Sequence, residues 1–586
     1  MKVEIIRCAM GKVPADLIVK GANLINTCTG EVLEGIDVAV KNDRIARVGK
    51  ADDLIANNTI KIDAKGKYLS PGFIEAHIHV ESSMISLNEF GKTVIPLGTT
   101  RILWDAHEIA NVMGIDGLEI IMKEAENTPL KTYFVIPSCV PSVPSLETSG
   151  AEISIKEIET MKKWANVVGL GEVMAFPAVI NTEPEIIEKI FEANSLRLID
   201  GHAPGLRGKQ LNAYLAAGIL SDHETVDSEE GLEKLRLGAW LMIREGSASK
   251  NLQSLIKPIL EKNLDIRHCL LVSDDLNPKD LVKQGHINHL LKRAVEEGVD
   301  PVKAIQMVTI NPATYLGKDK EIGSISPGKK ADLVIFDSLE KFKADWVIID
   351  GKIVAKKGEF LGKIGRFEYP KKARSSINIK NITLNRFSIK APNVEKTVKA
   401  HVIQVYRDTI LTKAKVEILN IDDKGNILTN IEKDVLYGAV VERHHGTGNI
   451  GLGFIKGFNL KEGSIAGTVA HDSHNIVTVG TTPEEIFQAV KAIEKNKGGL
   501  VVVKNGEILE KLRLPLFGLL SDKPVQEVAE KVQKLTEAAK KLGTKLVHPF
   551  ATLSFITLVV IPELRITDKG LVNVKERKII NSIIYN

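Results

Sequence analysis

Cysteine is scarce, with only Cys8, Cys28, Cys139 and Cys269 in 586 residues. No two are close enough for a CxxC zinc knuckle, and four are too few to staple a chain of this length. A disulfide framework and a thiolate metal site are therefore not expected, and a reducing cytoplasmic location is. Long apolar runs are also missing: the stretch 555–561 falls far short of the ~20 residues that span a bilayer. The opening Met1-Lys2-Val3-Glu4 lacks the basic-then-apolar pattern of a secretion signal. Charge of one sign is not in excess, since 78 Lys and Arg face 74 Asp and Glu for a net +4. That balance gives no reason to propose nucleic acid or a membrane surface as partner. The glycine-rich stretch 446–457 has neither GxGxxG nor GKT or GKS, so it reads as turns rather than a phosphate loop.

What is present is globular: 44% hydrophobic and 26% charged residues, in a length that at ~150 residues per domain requires more than one core. Short alternating strands at 16–20, 36–41 and 44–48 sit between Gly, Asn and Asp turns. The same texture returns at 331–336 and 346–354, where Asp350-Gly351 separates two β-branched runs. Residues 1–68 and 319–364 are expected to form one small composite β-sandwich. Between them lie eight apolar β runs, at 73–80, 99–106, 131–138, 167–174, 197–203, 218–224, 238–245 and 266–275, separated by helical segments such as 154–164, 183–191, 208–217 and 279–296. This order predicts an α/β fold, a (β/α)8 TIM-like barrel over 69–318 with its site at the C-terminal ends of the strands, and the ligand-type residues at those ends make it a metal-dependent one. Residues 365–586, with strands at 398–405 and 439–442 and helices at 483–493 and 524–542, read as a C-terminal α+β domain. The basic cluster 371–374 reads as a solvated linker.

Several of the fourteen histidines fall at or near those strand ends. His77 and His79, two apart on the first strand, share one face as a metal pair requires. Glu172 ends strand four, His202 strand five, His223 strand six and Asp274 strand eight. Each alone is weak, because a lone HxH is more often structural and a strand-terminal Asp is commonly a helix N-cap. Together they form four imidazoles and two carboxylates at the ends of five strands, enough for two divalent ions. Nitrogen and oxygen donors without thiolate suit Mn, Fe or Zn. Two cations sharing a hydroxide generate a nucleophile at neutral pH, so hydrolysis is the expected reaction.

Pro71-Gly72-Phe73-Ile74-Glu75-Ala76-His77-Ile78-His79 resembles the opening strand of the amidohydrolase superfamily, whose other ligands come from strands four, five, six and eight. More narrowly, Asp105-Ala106-His107-Glu108, Gly171-Glu172-Val173-Met174, Asp200-Gly201-His202-Ala203-Pro204-Gly205, Met242-Ile243-Arg244-Glu245-Gly246-Ser247 and Ser273-Asp274-Asp275-Leu276-Asn277-Pro278 look like the bacterial and archaeal adenine deaminases. His444-His445 and His471-Asp472-Ser473-His474-Asn475 extend the likeness to the last domain. The resemblance implies conversion of adenine to hypoxanthine and ammonia by attack of hydroxide on C6, with two divalent ions, Mn foremost, in an enzyme that assembles as a dimer. It places His77, His79 and Asp274 on one ion, His202 and His223 on the other, Glu172 between them, and makes Asp274 the proton shuttle.

His107 and Glu108 follow strand two, which does not usually supply ligands in the superfamily. A third ion, a substrate contact and a helix-start role stay open for them, with a substrate or supporting role favoured. Arg244, Glu245 and Ser247 end strand seven and either read the purine edge or hold the rim as a buried Arg–Glu pair. Asp275 is a candidate for a ring nitrogen, against an N-cap role. The turn carrying His471 and His474 is either plain surface or a cover over the barrel mouth. Among rivals, cyclic-amide hydrolases of the dihydroorotase and hydantoinase kind bridge their metals with a Lys on strand four, and none is present at 167–172. A non-catalytic scaffold on the same fold would have lost ligands, and a cytidine-deaminase-like site needs the missing CxxC.

Overall fold

The computed structural model describes residues 2–247, 249–391, 396–407 and 409–584. Eight parallel strands make the barrel: β1 Phe73–His79, β2 Thr99–Asp105, β3 Lys131–Ile136, β4 Val167–Val173, β5 Leu198–Gly201, β6 Ser221–Asp222, β7 Trp240–Arg244 and β8 Cys269–Val272. They hydrogen-bond as two arcs, β1 to β5 and β6 to β8. The arcs meet where Leu220 N donates to Ile199 O at 2.9 Å. They meet again where the short strand Asp274–Asp275, just beyond β8, pairs with Ile78 and His79 of β1. The strands are almost wholly buried, as parallel strands covered on both faces must be. Ile74, Ala76, Leu103, Val135, Val168, Leu198, Met242 and Leu270 fill the lower interior, and above this apolar plug the same strands change to His, Asp and Glu.

Two expectations change. The helix read over 279–296 is two helices, Pro278–Lys283 and Ile287–Glu296. Gly285, at φ +106°, lets the chain turn between them. His286 beside it is fully buried, its Nδ1 2.8 Å from Thr99 Oγ1 and its Nε2 3.3 Å from Glu75 Oε2, so a tie to β1 and β2 fixes the break. The segments flanking the barrel form one continuous nine-stranded sheet. The strand Tyr68–Pro71 runs parallel to Leu17–Asn26 on one side and antiparallel to Leu333–Phe336 on the other, so the two flanking stretches are joined through it into a single sheet.

The C-terminal region has its own nine-stranded, mostly antiparallel sheet. In the strand Val435–Val441 the side-chain alternation divides two cores: Val435, Tyr437 and Ala439 pack with helix Pro483–Asn496, whereas Leu436 and Val440 belong to the core that continues into the barrel. The sheet is thereby docked on the barrel. The basic cluster 371–374 takes part in the docking, with Ala373 buried, Lys372 on Asp116 at 2.5 Å and Arg374 on Asp522 at 3.0 Å. No helix among the described residues is long and apolar enough to cross a membrane.

Candidate active site

The strand period puts His77 and His79 on one face of β1, directed inward, while Ile78 between them packs in the surrounding core. Glu172 is held at the end of β4 because Asp105 Oδ2 accepts its backbone N–H at 3.0 Å. Gly171 permits that approach, since a Cβ there would lie 2.2 Å from the same oxygen. His202 follows β5, its N–H donating at 2.9 Å to the Tyr214 hydroxyl, which in turn donates to Val173 O at 2.8 Å. His223 follows β6 directly. Asp274 has φ +56°, a backbone state costly for a non-glycine residue and typical of sites where geometry is over-determined.

These side chains converge on Glu172. Its Oε1 faces His79 Nε2 at 3.3 Å and His107 Nδ1 at 3.4 Å, while its Oε2 faces His202 Nδ1 at 2.5 Å and His223 Nε2 at 3.1 Å. Asp274 Oδ1 lies 3.2 Å from His79 Nε2 and 3.7 Å from His77 Nε2. His77 Nε2, His107 Nδ1 and His223 Nδ1 are buried without a hydrogen-bond partner. Orphaned buried imidazole nitrogens are costly unless something else satisfies them. Imidazole nitrogens and carboxylate oxygens 3–4 Å apart are spaced as neighbouring ligands of one cation. The donor set thus fits metal ions, and His77, His79 and Asp274 in particular lie within 4.8 Å of one another.

The electrostatics agree. Burial pushes Glu172 up, but His223 and His202 outweigh it and hold its carboxyl well below the usual range. Burial is likewise outweighed at Asp274 by His79 and Arg244. Burial disfavours protonated His202, yet Glu224 and Glu172 raise it to about 9, and Asp105 raises His107 to about 10 against its own burial. The carboxylates demand positive charge at this spot, and protons supply it where cations do not.

The remaining candidates separate. Arg244 does form a buried ion pair, but with Glu224 and, at 2.8 Å, Asp274 Oδ2. Glu245 is not its partner: as the next residue along it turns away to Arg293, 3.5 Å off, and does not line the chamber. Ser247 accepts the Asn277 N–H at 3.0 Å in a turn facing an outer cavity. Asp275 lines the chamber and accepts from Ser82, while the following helix is capped by Asn277 instead. Glu108 lines the chamber too, pushed well up by burial and by Glu81. Glu224, which the sequence reading passed over, faces both His202 and His223.

From the C-terminal domain, His471 and Asp472 reach the chamber wall with Ile410, Phe555, Leu558 and Ile561. His471 stacks on Phe555 at 4.8 Å between ring centres, and its Nδ1 is 3.5 Å from Glu108 Oε1. The turn therefore covers the barrel mouth. His474 sits behind it, fully buried, with Nε2 3.7 Å from Glu108 Oε2. Its Nδ1 accepts the Ala470 N–H at 3.1 Å. That bond puts the ring proton on Nε2, so His474 is a poor ligand for a third ion despite its closeness to Glu108 and His471.

Residues 68–354 match the amidohydrolase family and residues 409–578 the adenine deaminase C-terminal domain. The chain is similar to an adenine deaminase of Clostridium botulinum (strain ATCC 19397 / Type A), 44% identical over 96% of this chain and 94% of that one. It is 40% identical to an adenine deaminase of Moorella thermoacetica over 99% and 98% of the two chains. With one from Staphylothermus marinus the identity is 41% over 99% and 97%. The barrel, the cluster on Glu172 and these full-length likenesses together show that the chain belongs to the adenine deaminase family of amidohydrolases.

Proposed function

We infer that the chain hydrolyses adenine to hypoxanthine and ammonia. The observation that carries this is the Glu172 carboxylate, whose two oxygens face two different sets of imidazoles, as a bridge between two ions would. His77, His79 and Asp274 would hold one divalent ion and His202 and His223 the other, with Mn, Fe or Zn suiting the donors and Mn foremost. Such ions supply the positive charge that makes a water molecule nucleophilic at neutral pH.

The chain's own groups do the rest. Asp274, ionised and steadied through Oδ2 by Arg244, keeps Oδ1 free toward His77 and His79. It can take the proton of the attacking water and pass it to the amine leaving C6. Glu108, its carboxyl pushed well up by burial and by Glu81, can donate to a ring nitrogen, and Asp275 can accept from a ring N–H. His471 and Phe555 close the mouth and exclude water. A cyclic-amide hydrolase is disfavoured by Glu172 standing at the end of β4 with no Lys on that strand.

Ammonia release from adenine, adenosine, cytosine and dihydroorotate tests the reading. Adenine should be far the best substrate, and equal or greater turnover of the cyclic amide would overturn it.

A further inference from the structure

The chamber holding the Glu172 cluster opens toward a larger outer cavity of about 950 Å³, and Ile410, Phe555 and Ile561 line both. They form the apolar side of the passage, opposite Met174, His202, Glu224, Arg244 and Ser249, which the barrel contributes to both cavities. All three are half-buried and apolar, and all come from the C-terminal domain. Their backbones are fixed by a single group. Arg565, fully buried, donates Nε to Ile561 O at 2.6 Å, Nη1 to Phe555 O at 2.8 Å, and Nη2 to Ile410 O at 2.7 Å and Pro562 O at 3.2 Å. Each of these bonds ends on a backbone carbonyl. The planar five-donor fork of a guanidinium can hold three points of chain in one fixed arrangement, which a lysine cannot. Burying a cation on carbonyls alone is costly, and here the cost falls where it sets the apolar side of the passage.

The adenine reading gives this apolar side a meaning. With C6 toward His79, Glu172 and Asp274, a base whose N9 edge faces the outer cavity meets Ile410, Phe555 and Ile561. A sugar on N9 would have to occupy the space these side chains fill, and would press against their apolar surface. We propose that Ile410, Phe555 and Ile561, positioned by Arg565, form an apolar gate that admits the free purine base and excludes purines substituted at N9. The C-terminal domain then supplies the apolar part of the selection of base over nucleoside. The gate rests on the deamination reading above.

The test compares the wild type with Phe555→Ala, Ile561→Ala and their double variant on adenine, 9-methyladenine and adenosine, each preparation checked for metal content and Tm. The kcat/KM ratio of 9-methyladenine to adenine should rise at least tenfold in the double variant and less in the singles, with adenosine following in the same order. If the alanine variants do not fold, Phe555→Leu with Ile561→Val should move the ratio the same way. Arg565→Lys keeps the charge but loses the fork, and should also raise the ratio. A residue that only supported the fold would lower both substrates together and leave the ratio unmoved. An active wild type with an unchanged ratio in the folded variants overturns the gate alone. A wild type that releases no ammonia from adenine overturns the deamination reading and the gate with it.

Discussion

The two halves of the chamber are made of unlike material. The barrel half gathers imidazoles and carboxylates around Glu172, whereas the C-terminal half presents Ile410, Phe555, Leu558 and Ile561, with His471 and Asp472 as its polar members. Charge stands where bonds break and form, and apolar shape stands where a substrate is admitted. A buried arginine on each side follows the division: Arg244 meets carboxylates that belong to the cluster, while Arg565 meets only carbonyls and holds backbone in place.

The sharpest way to break this contrast is to remove the charge the barrel half is built around. Chelation should abolish turnover, and Mn, Fe or Zn should restore it, while far-UV circular dichroism shows the chain still folded. Full activity in a preparation shown by elemental analysis to be metal-free would erase the distinction. Next in size is Asp274→Asn, expected to keep much of the metal and to lose about 10²- to 10⁴-fold in kcat, because the amide can still offer an oxygen but carries no proton. Glu172→Gln should instead lower metal occupancy, and near-normal kcat in a metal-replete Asp274→Asn chain would move the proton role to Glu108 or Asp275.

The spacing of His77 and His79 and the strand-end positions of Glu172, His202, His223 and Asp274 were legible because strand period and barrel geometry act locally. Glu224 was not, because its meaning lies in contacts from the end of β6 to Arg244 on β7 and His202 after β5, and nothing in its neighbourhood marks it. Glu245 misled for the opposite reason: adjacency to Arg244 suggested a pair, yet neighbours on a strand point to opposite faces. The same limit applies to the domains. The strand read at 439–442 in fact begins at Val435, and only the folded chain shows that its two faces serve two cores. Arg565 is beyond any motif, since its carbonyl at Ile410 is 155 residues away.

On the C-terminal half the expected effects are smaller. His471→Ala should lower kcat/KM for adenine about tenfold, roughly 1.4 kcal/mol of transition-state stabilisation, with metal content unchanged. His474→Ala removes a fully buried ring and the acceptor of the Ala470 N–H, so it should also lower Tm. Wild-type kinetics in His471→Ala would reduce the cover to a surface turn. The smallest effect is expected at the seam itself, where Glu147, in the loop between β3 and β4, is buried near Asp472. Burial, followed by the charge of Asp472, raises its carboxyl to about 8 from an ordinary 4.5. The folded chain therefore keeps a proton that the unfolded chain releases, and this site's contribution to stability falls as pH rises from about 4.5 through about 8. Glu147→Gln should flatten the fall of Tm between about pH 6 and 8, and an unaltered slope would place the titration elsewhere.

The most direct test titrates Mn into metal-free chain while hypoxanthine formation from adenine is followed. If Glu172 bridges two ions as proposed, activity should climb with added metal and level off near two equivalents per chain, with the metal-free chain inactive. Turnover without metal, a plateau at one equivalent, or no hypoxanthine at any loading would contradict the account.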